Sequence, residues 1–409
     1  MGHTILDRAS QVMYKILSHR WAIYAVAFGV VGGVVLIIAS HAATPAGTIS
    51  PDQGNVAGGA QIITDTTASG GRAVVFQTPS STITLPNNSS WVNVTGNLAG
   101  KASECGEVTG IWPGATVTST AMIAGVARDG LWTTNNPGTG ANWTQVPGAS
   151  VITNRPSFIS YDPVNPSIYY ESGIYSSFND GLYKTINGGA TFTPLATTGH
   201  GHDDHISVDY TDPARQTILA GGHEQARVVY KSTDGGSTWT NVGGNLPSDA
   251  TGFSTQVYTI NAQTYLAAVT PGYINGSSGI YRTSNGGASW MKVSSLGPDN
   301  AILVATDGTY YWRSNNGDLG KSTDQGQSWT TVGNVISFQP VQIPDGRLVT
   351  IQNGRLAVSA DNGSTWTAFG PNLPYNPNAF NYSPGNNAYY ISHFNCSGTV
   401  SNDAIEKLQ

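Results

Sequence analysis

An eight-residue pattern recurs five times between residues 185 and 366, and it constrains the fold more than any other feature of this chain. Each copy reads Ser or Thr, any residue, Asp or Asn, any residue, Gly, any residue, Ser or Thr, and then Trp or Phe. The five copies are Thr185–Phe192, Ser232–Trp239, Thr283–Trp290, Ser322–Trp329 and Ser359–Trp366. A short acceptor side chain followed by glycine is typical of a tight turn, in which glycine takes a positive φ. The aromatic residue then begins a strand, so the pattern predicts repeated hairpins.

The acidic or amide residue of each copy is predicted to stabilise its turn and not to bind a metal. These residues are Asn187, Asp234, Asn285, Asp324 and Asp361. A calcium loop needs about six or more oxygen ligands, whereas each copy offers at most one acid. The composition agrees, because 50 glycines and only 10% charged residues favour an all-β protein with many turns.

Two degenerate copies of the pattern precede the five. Thr133–Trp143 contains an insertion, and Pro86–Trp91 lacks the glycine. The residues that start at Trp91, WVNVTGNL, closely match WTNVGGNL at 239–246. Aromatic anchors therefore recur about every 40–50 residues, which is the length of a four-stranded propeller blade.

The pattern resembles the Asp-box, or BNR repeat, of sialidases, xyloglucan-cleaving hydrolases, sortilin-type receptors and photosystem assembly factors. This resemblance implies an all-β, seven-bladed β-propeller over residues 85–409, in which each Asp-box turn joins the third and fourth strands of a blade. The chain after Trp366 has segments for three further strands but none for a fourth. We expect the strand that begins at Trp91 to complete this C-terminal blade and close the ring, because closure removes exposed sheet edges.

Two cysteines lie near opposite ends of the predicted propeller. Strands of a blade alternate in direction, so the loops after the fourth strand and those between the second and third strands share one face, which we call the top face. Cys105 and Cys396 would both lie on the top face of the closing blade. A disulfide between them is the favoured interpretation for an exported chain, and two unpaired buried thiols are the alternative.

The N-terminal region predicts export. Residues 1–20 carry three basic residues and one acid, and residues 21–40 begin with an uncharged run, Trp21–Ala39, that is long enough for one transmembrane helix or signal-anchor. The preceding positive charges place residues 1–20 in the cytoplasm and the propeller outside the membrane. Cleavage after Ala42 would instead give a secreted protein. Residues 41–84 are rich in Ala, Gly, Ser and Thr and are predicted to be a spacer.

The most unusual stretch is Gly199–His205, GHGHDDH, in the loop that enters the predicted third blade. The next top-face loop of that blade carries His223 and Glu224. Together the two loops supply a candidate ligand site of seven residues: His200, His202, Asp203, Asp204, His205, His223 and Glu224. Histidine and carboxylate suit a divalent metal or acid–base chemistry, but the same residues could serve only to order the loops. The prediction therefore includes no metal and no cofactor.

Further candidates on the top face are Arg155, in the sequence NRPS, and the aromatic residues Tyr175 and Tyr273. The preferred function is an extracytoplasmic, membrane-tethered recognition module for a glycan or protein. A sialidase-like or related glycoside hydrolase is one alternative, although most sequence marks of those enzymes are missing. A scaffold factor that acts through protein contacts is another. The net charge of −6 and 18 thinly spread Lys and Arg residues argue against nucleic-acid binding.

Overall fold

A computed structural model describes ten stretches of the chain. They are residues 60–64, 72–76, 83–101, 108–175, 181–195, 203–271, 276–298, 300–333, 335–393 and 404–409. His200, His202, Tyr273, Cys105 and Cys396 lie outside these stretches, as do the side chains of Asp203 and Asp204.

The chain divides into two compact units, Met1–Ser81 and Thr82–Gln409. In the first unit, Ala60–Thr64 pairs antiparallel with Arg72–Phe76. No helix within the described stretches has the length and apolar character to cross a bilayer. The predicted span, residues 21–40, lies outside them.

The second unit is an all-β propeller of seven four-stranded antiparallel sheets, as the sequence predicts. We number the blades along the chain by their first strands. Blade 1 comprises Val108–Pro113, Met122–Val126, Gly130–Thr134 and Thr144–Gln145. Blade 2 comprises Arg155–Tyr161, Tyr169–Ile174, Leu182–Thr185 and Thr193–Pro194. Blade 3 comprises Asp203–Val208, Ile218–Gly222, Val229–Ser232 and Thr240–Asn241.

The remaining blades repeat this meander. Blade 4 comprises Ser254–Asn261, Thr264–Thr270, Gly279–Thr283 and Met291–Ser294. Blade 5 comprises Leu303–Val304, Tyr310–Arg313, Leu319–Ser322 and Thr330–Val332. Blade 6 comprises Val341–Gln342, Leu348–Gln352, Arg355–Ser359 and Thr367–Asn372. Blade 7 comprises Ala379–Ser383, Ala388–His393, Ala404–Leu408 and Val92–Asn93.

The fourth strand of blade 7 comes from the start of the unit and closes the ring. Val92 pairs with Lys407, and Asn93 pairs with Glu406. The residues that follow fasten blade 7 to blade 1, since the Trp143 indole donates to the Val94 carbonyl at 3.0 Å. The match between 91–98 and 239–246 extends to this contact, because Trp290 donates in the same way to Val242 at 3.1 Å. Each of these tryptophans therefore links its own blade to the preceding one.

The five repeated turns join the third and fourth strands of blades 2 to 6, on the face opposite the top. In blade 3, Asp234 Oδ1 accepts the backbone N–H groups of Ser237 at 3.0 Å and Thr238 at 2.8 Å. The buried Ser232 hydroxyl accepts the Gly236 N–H at 2.8 Å, and Gly236 has a φ of 95°. Four equivalent hydroxyls do the same: Thr185, Thr283, Ser322 and Ser359. The pattern is thus a self-contained hydrogen-bonded turn.

Ser232→Ala is expected to lower the free energy of unfolding by about 1–3 kcal/mol, because it leaves the buried Gly236 N–H without an acceptor. Urea denaturation measures this change. The exposed Ser237→Ala in the same turn is the control and should change stability by less than about 0.5 kcal/mol. Equal effects of the two substitutions would contradict the role assigned to Ser232.

Candidate functional site

Three predicted candidates from two adjacent blades meet on the top face. Tyr175 directly follows the second strand of blade 2, and His223 and Glu224 follow the second strand of blade 3. The Tyr175 hydroxyl lies 3.2 Å from His223 Nε2 and donates to Glu224 Oε1 at 3.2 Å. His223 Nε2 is also 3.7 Å from Glu224 Oε1. We call Tyr175, His223 and Glu224 the top cluster.

Blade 4 supports the top cluster from the other side. The Ser254 hydroxyl lies 3.3 Å from His223 Nδ1, and the Phe253 ring meets the imidazole edge-on, with ring centres 5.6 Å apart. When Nε2 carries the imidazole hydrogen, Ser254 donates to His223 and His223 donates to Tyr175. Tyr175 then donates to Glu224, so the chain of hydrogen bonds ends on an exposed carboxylate.

Arg155 approaches the top cluster from the first strand of blade 2. Its guanidinium carbon lies 5.5 Å from the centre of the Tyr175 ring, within the range of a cation–π contact. The His223 side chain is only 15% exposed, whereas that of Glu224 is 44% exposed. The buried His223 imidazole therefore holds the Tyr175 side chain in position, and the exposed Glu224 carboxylate remains accessible to a ligand.

The backbone of the top cluster is strained at two positions. Tyr175 has a φ of 59° and Glu224 a φ of 56°, in the left-handed region that side chains other than glycine rarely adopt. Such a conformation costs on the order of 1 kcal/mol or more and is common at ligand sites. With this backbone conformation, the Tyr175 side chain of blade 2 and the Glu224 side chain of blade 3 meet on the top face.

A buried polar pair lies at the same end of blade 2. Asn154 and Glu171 are both fully buried, and Asn154 Nδ2 donates to Glu171 Oε2 at 3.2 Å. Burial raises the pKa of Glu171 well above its ordinary value, and the Asn154 hydrogen bond opposes this shift only in part. The backbone carbonyl of Asn154 also accepts the backbone N–H of Arg128 at 2.9 Å. Asn154 therefore anchors a top loop of blade 1.

Of the side chains in the His-rich segment Gly199–His205, the structure describes that of His205, which lies away from the top cluster. His205 is 4% exposed and packs against Phe158 in the central channel, with ring centres 4.2 Å apart. Asp203 pairs with Gly222 and His205 with Gly221, with a register shift between them. Within the described stretches, no group of three or more His, Cys, Asp or Glu side chains could hold a metal ion. His200 and His202 lie outside those stretches.

Sequence reasoning therefore identified Arg155, Tyr175, His223 and Glu224, which the fold brings together, and missed their supports. Phe253 and Ser254 belong to blade 4, and no local pattern marks them. The Asn154–Glu171 pair was equally hidden, because the two residues are adjacent only through the pairing of the strands in blade 2. A glutamate within the buried strand Tyr169–Ile174, whose other residues are all uncharged, is the one signal that points to this pair.

Comparison with known proteins gives a likeness to one enzyme over part of the chain. No protein-family model matches. A xyloglucanase from Paenibacillus sp. is 29% identical over 185 residues, and this alignment covers 41% of the present chain. It covers only 16% of the Paenibacillus enzyme, so the chain spans a small part of that relative.

Two solved structures share the propeller architecture. A GH74 enzyme from Niastella koreensis aligns with a TM-score of 0.51 and 18% identity, over 75% of this chain and 53% of the enzyme. The WD40 propeller domain of Doa1 aligns with a TM-score of 0.50 and 14% identity, over 79% of this chain and 96% of that domain. At these identities the likeness supports the fold alone.

Proposed function

We propose that this propeller recognises a glycan through the top cluster. The observation that carries the proposal is the convergence of Tyr175, His223 and Glu224, from two blades, on one hydrogen-bonded centre beside Arg155. Single tyrosines and histidines are ordinary on a rim. A strained and mutually bonded set that ends on an exposed carboxylate is typical of a ligand site.

The chemistry of the top cluster matches a sugar. Glu224 uses Oε1 for Tyr175, and a carboxylate has further lone pairs that can accept sugar hydroxyl groups. The Tyr175 and Phe253 rings flank His223 edge-on, and aromatic rings of this kind pack against the C–H faces of sugars. Because His223 and Ser254 hold these groups in place, little conformational entropy is lost on binding.

Xyloglucan is the first glycan to test, since the Paenibacillus relative is a xyloglucanase. We propose that the repeated turns are Asp-boxes and that the chain belongs to that propeller superfamily; their sequence and their hydrogen bonding support this proposal. We also propose that residues 21–40 tether the propeller to the membrane with its top face outside the cytoplasm, or that cleavage after Ala42 releases it. A protein ligand on the same face is the alternative that the test below separates.

Glycoside hydrolysis is a second candidate function, favoured by the partial match to the Paenibacillus xyloglucanase. It needs an acid and a second carboxylate about 5–10 Å apart across the scissile bond. The carboxylates of the described top loops are Asp129, Glu224, Asp249 and Asp318. A hydrolase would place the scissile bond of its substrate between two of them.

Glu224→Gln and Tyr175→Phe are expected to weaken binding of xyloglucan oligosaccharides by tenfold or more, because each removes a hydrogen-bonding group from the top cluster. Isothermal titration calorimetry on the full-length chain measures this loss, and release of reducing sugar is followed in the same samples. Asp307→Asn is the matched control, because this carboxylate lies in the turn between the first and second strands of blade 5, on the face opposite the top, where it accepts the Thr309 N–H at 2.9 Å.

The outcomes separate the candidate functions. Binding without turnover that depends on Glu224 supports recognition. Turnover abolished by Glu224→Gln or Asp129→Asn supports hydrolysis instead. Absence of binding to xyloglucan and to a broad glycan array would refute the glycan proposal and leave a protein ligand.

A further inference from the structure

The central channel contains a cavity separate from the top cluster. Its volume is about 490 Å³, within the range of small-molecule sites. The first strands of blades 1, 2, 6 and 7 and the segment that leads into blade 5 line it. Gly114 and Pro384, from turns between first and second strands, lie at its rim. The cavity therefore reaches the face that carries the repeated turns, opposite the top face.

Three half-buried aromatic side chains line this cavity: Trp112, Phe158 and Phe338. The indole of Trp112 lies against two glycines of its own blade. A Cβ atom on Gly110 would lie 2.3 Å from the indole, and one on Gly125 would lie 3.0 Å from it. The absence of side chains at these two positions is what allows the ring to lie flat against the sheet.

Amide side chains alternate with the aromatic ones and are held in fixed positions. Gln339 Nε2 donates to the Tyr311 carbonyl of blade 5 at 2.8 Å, and Asn381 Nδ2 donates to the Ile111 carbonyl of blade 1 at 3.2 Å. An amide nitrogen has two hydrogens, so each of these groups retains one for a ligand. Bonds to neighbouring blades orient these donors before any ligand arrives.

The lining has no formal charge. Among the described residues that border the cavity there is no Asp, Glu, Lys, Arg or His. A phosphate, a carboxylate ligand or a metal ion would lose its hydration there without a compensating charge. A sugar without ionised groups has apolar C–H faces for the aromatic rings and hydroxyl groups for the amides.

We propose that the channel binds a small neutral saccharide, which enters from the face that carries the repeated turns. This site does not depend on the top cluster. Its ligand contacts are the Trp112 indole and the free amide hydrogens of Gln339 and Asn381. A propeller with both sites would hold two parts of a glycan, or two glycans, on opposite faces.

The test is titration of the full-length chain with cellotriose, xylotriose and maltotriose, followed by calorimetry and by NMR of the tryptophan indole N–H groups. We expect at least one trisaccharide to bind and to shift the Trp112 resonance. Trp112→Ala and Gly110→Ala should each weaken binding by tenfold or more, the second because its Cβ displaces the indole. Tyr175→Phe is the control and should leave this affinity unchanged, whatever its effect on xyloglucan binding at the top face.

Charge provides the second control, since tri-galacturonic acid should bind at least tenfold more weakly than the neutral trisaccharides. If Trp112→Ala and Gly110→Ala do not fold, Gln339→Ala and the indole shifts of the unaltered protein take their place. The proposal is overturned if no neutral trisaccharide binds, if channel substitutions leave binding unchanged, or if Tyr175→Phe alone abolishes it. Stronger binding of a neutral Gly-Ser peptide would assign the channel to a peptide and also overturn it.

Discussion

Asp162→Asn is expected to destabilise the propeller by about 3–5 kcal/mol, because it leaves the Arg215 guanidinium buried without its counter-ion. Arg215 Nε donates to Asp162 Oδ2 at 2.7 Å, and Nη2 donates to Oδ1 at 3.1 Å. The Asp162 side chain is 4% exposed. These residues lie in the turns between first and second strands of blades 2 and 3, so the ion pair joins the two blades. Equilibrium unfolding in urea measures the loss.

The Arg215 hydrogen bond lowers the pKa of Asp162 to about 2. A lowered folded-state pKa means that this stabilisation is present above pH 4 and is lost as the pH falls from about 4 to 2. Asp162→Asn should therefore lack this part of the acid sensitivity. Asp249→Asn is the control, because it breaks the ion pair between Lys292 and the half-exposed Asp249. It should lower the free energy of unfolding by less than about 1 kcal/mol. Similar losses for the two variants would refute the inter-blade role of Asp162.

Glu171→Gln is expected to make the protein more stable than the wild type at neutral and alkaline pH. Burial raises the pKa of Glu171, so the folded protein keeps this carboxyl protonated over a pH range in which the unfolded chain ionises it. Each pH unit above about 4.3 then lowers wild-type stability relative to the variant by about 1.4 kcal/mol, until the folded-state pKa is reached. Glutamine is neutral at every pH and keeps an acceptor for Asn154.

Urea unfolding of both proteins at several pH values between 4.5 and 8 measures this difference. Ser237→Ala is the control, because it replaces one exposed neutral side chain by another, and its stability difference from the wild type should vary little with pH. A Glu171→Gln difference that is constant across this range would show that Glu171 ionises normally in the folded protein.

The propeller was predictable from the sequence because its turns are local. In each repeat the hydroxyl, the acidic or amide residue and the glycine lie within five residues and bond to each other. The turn sequence therefore specifies the turn wherever it occurs. The match between 91–98 and 239–246 also marked a fourth strand, and the structure pairs Val92–Asn93 with Ala404–Leu408.

The candidate site was predictable only in part. The sequence located the top loops, and four of their candidate residues, Arg155, Tyr175, His223 and Glu224, lie together. It also grouped His205 with His223, but the structure places His205 in the channel against Phe158 and His223 against Phe253. His205 lies within the first strand of blade 3, whereas His223 lies in the loop after the second strand, so composition alone could not separate them.

By itself the sequence determined the blade repeat, because each turn is stabilised by residues a few positions apart. Only the tertiary structure decided which residues meet between blades: Tyr175 with His223, Asp162 with Arg215, and Asn381 with the Ile111 carbonyl. These contacts join residues about 50 or more positions apart, and no local pattern encodes such distances. Their geometry depends on how seven twisted sheets pack around one axis, which fixes both the top cluster and the uncharged cavity in the channel.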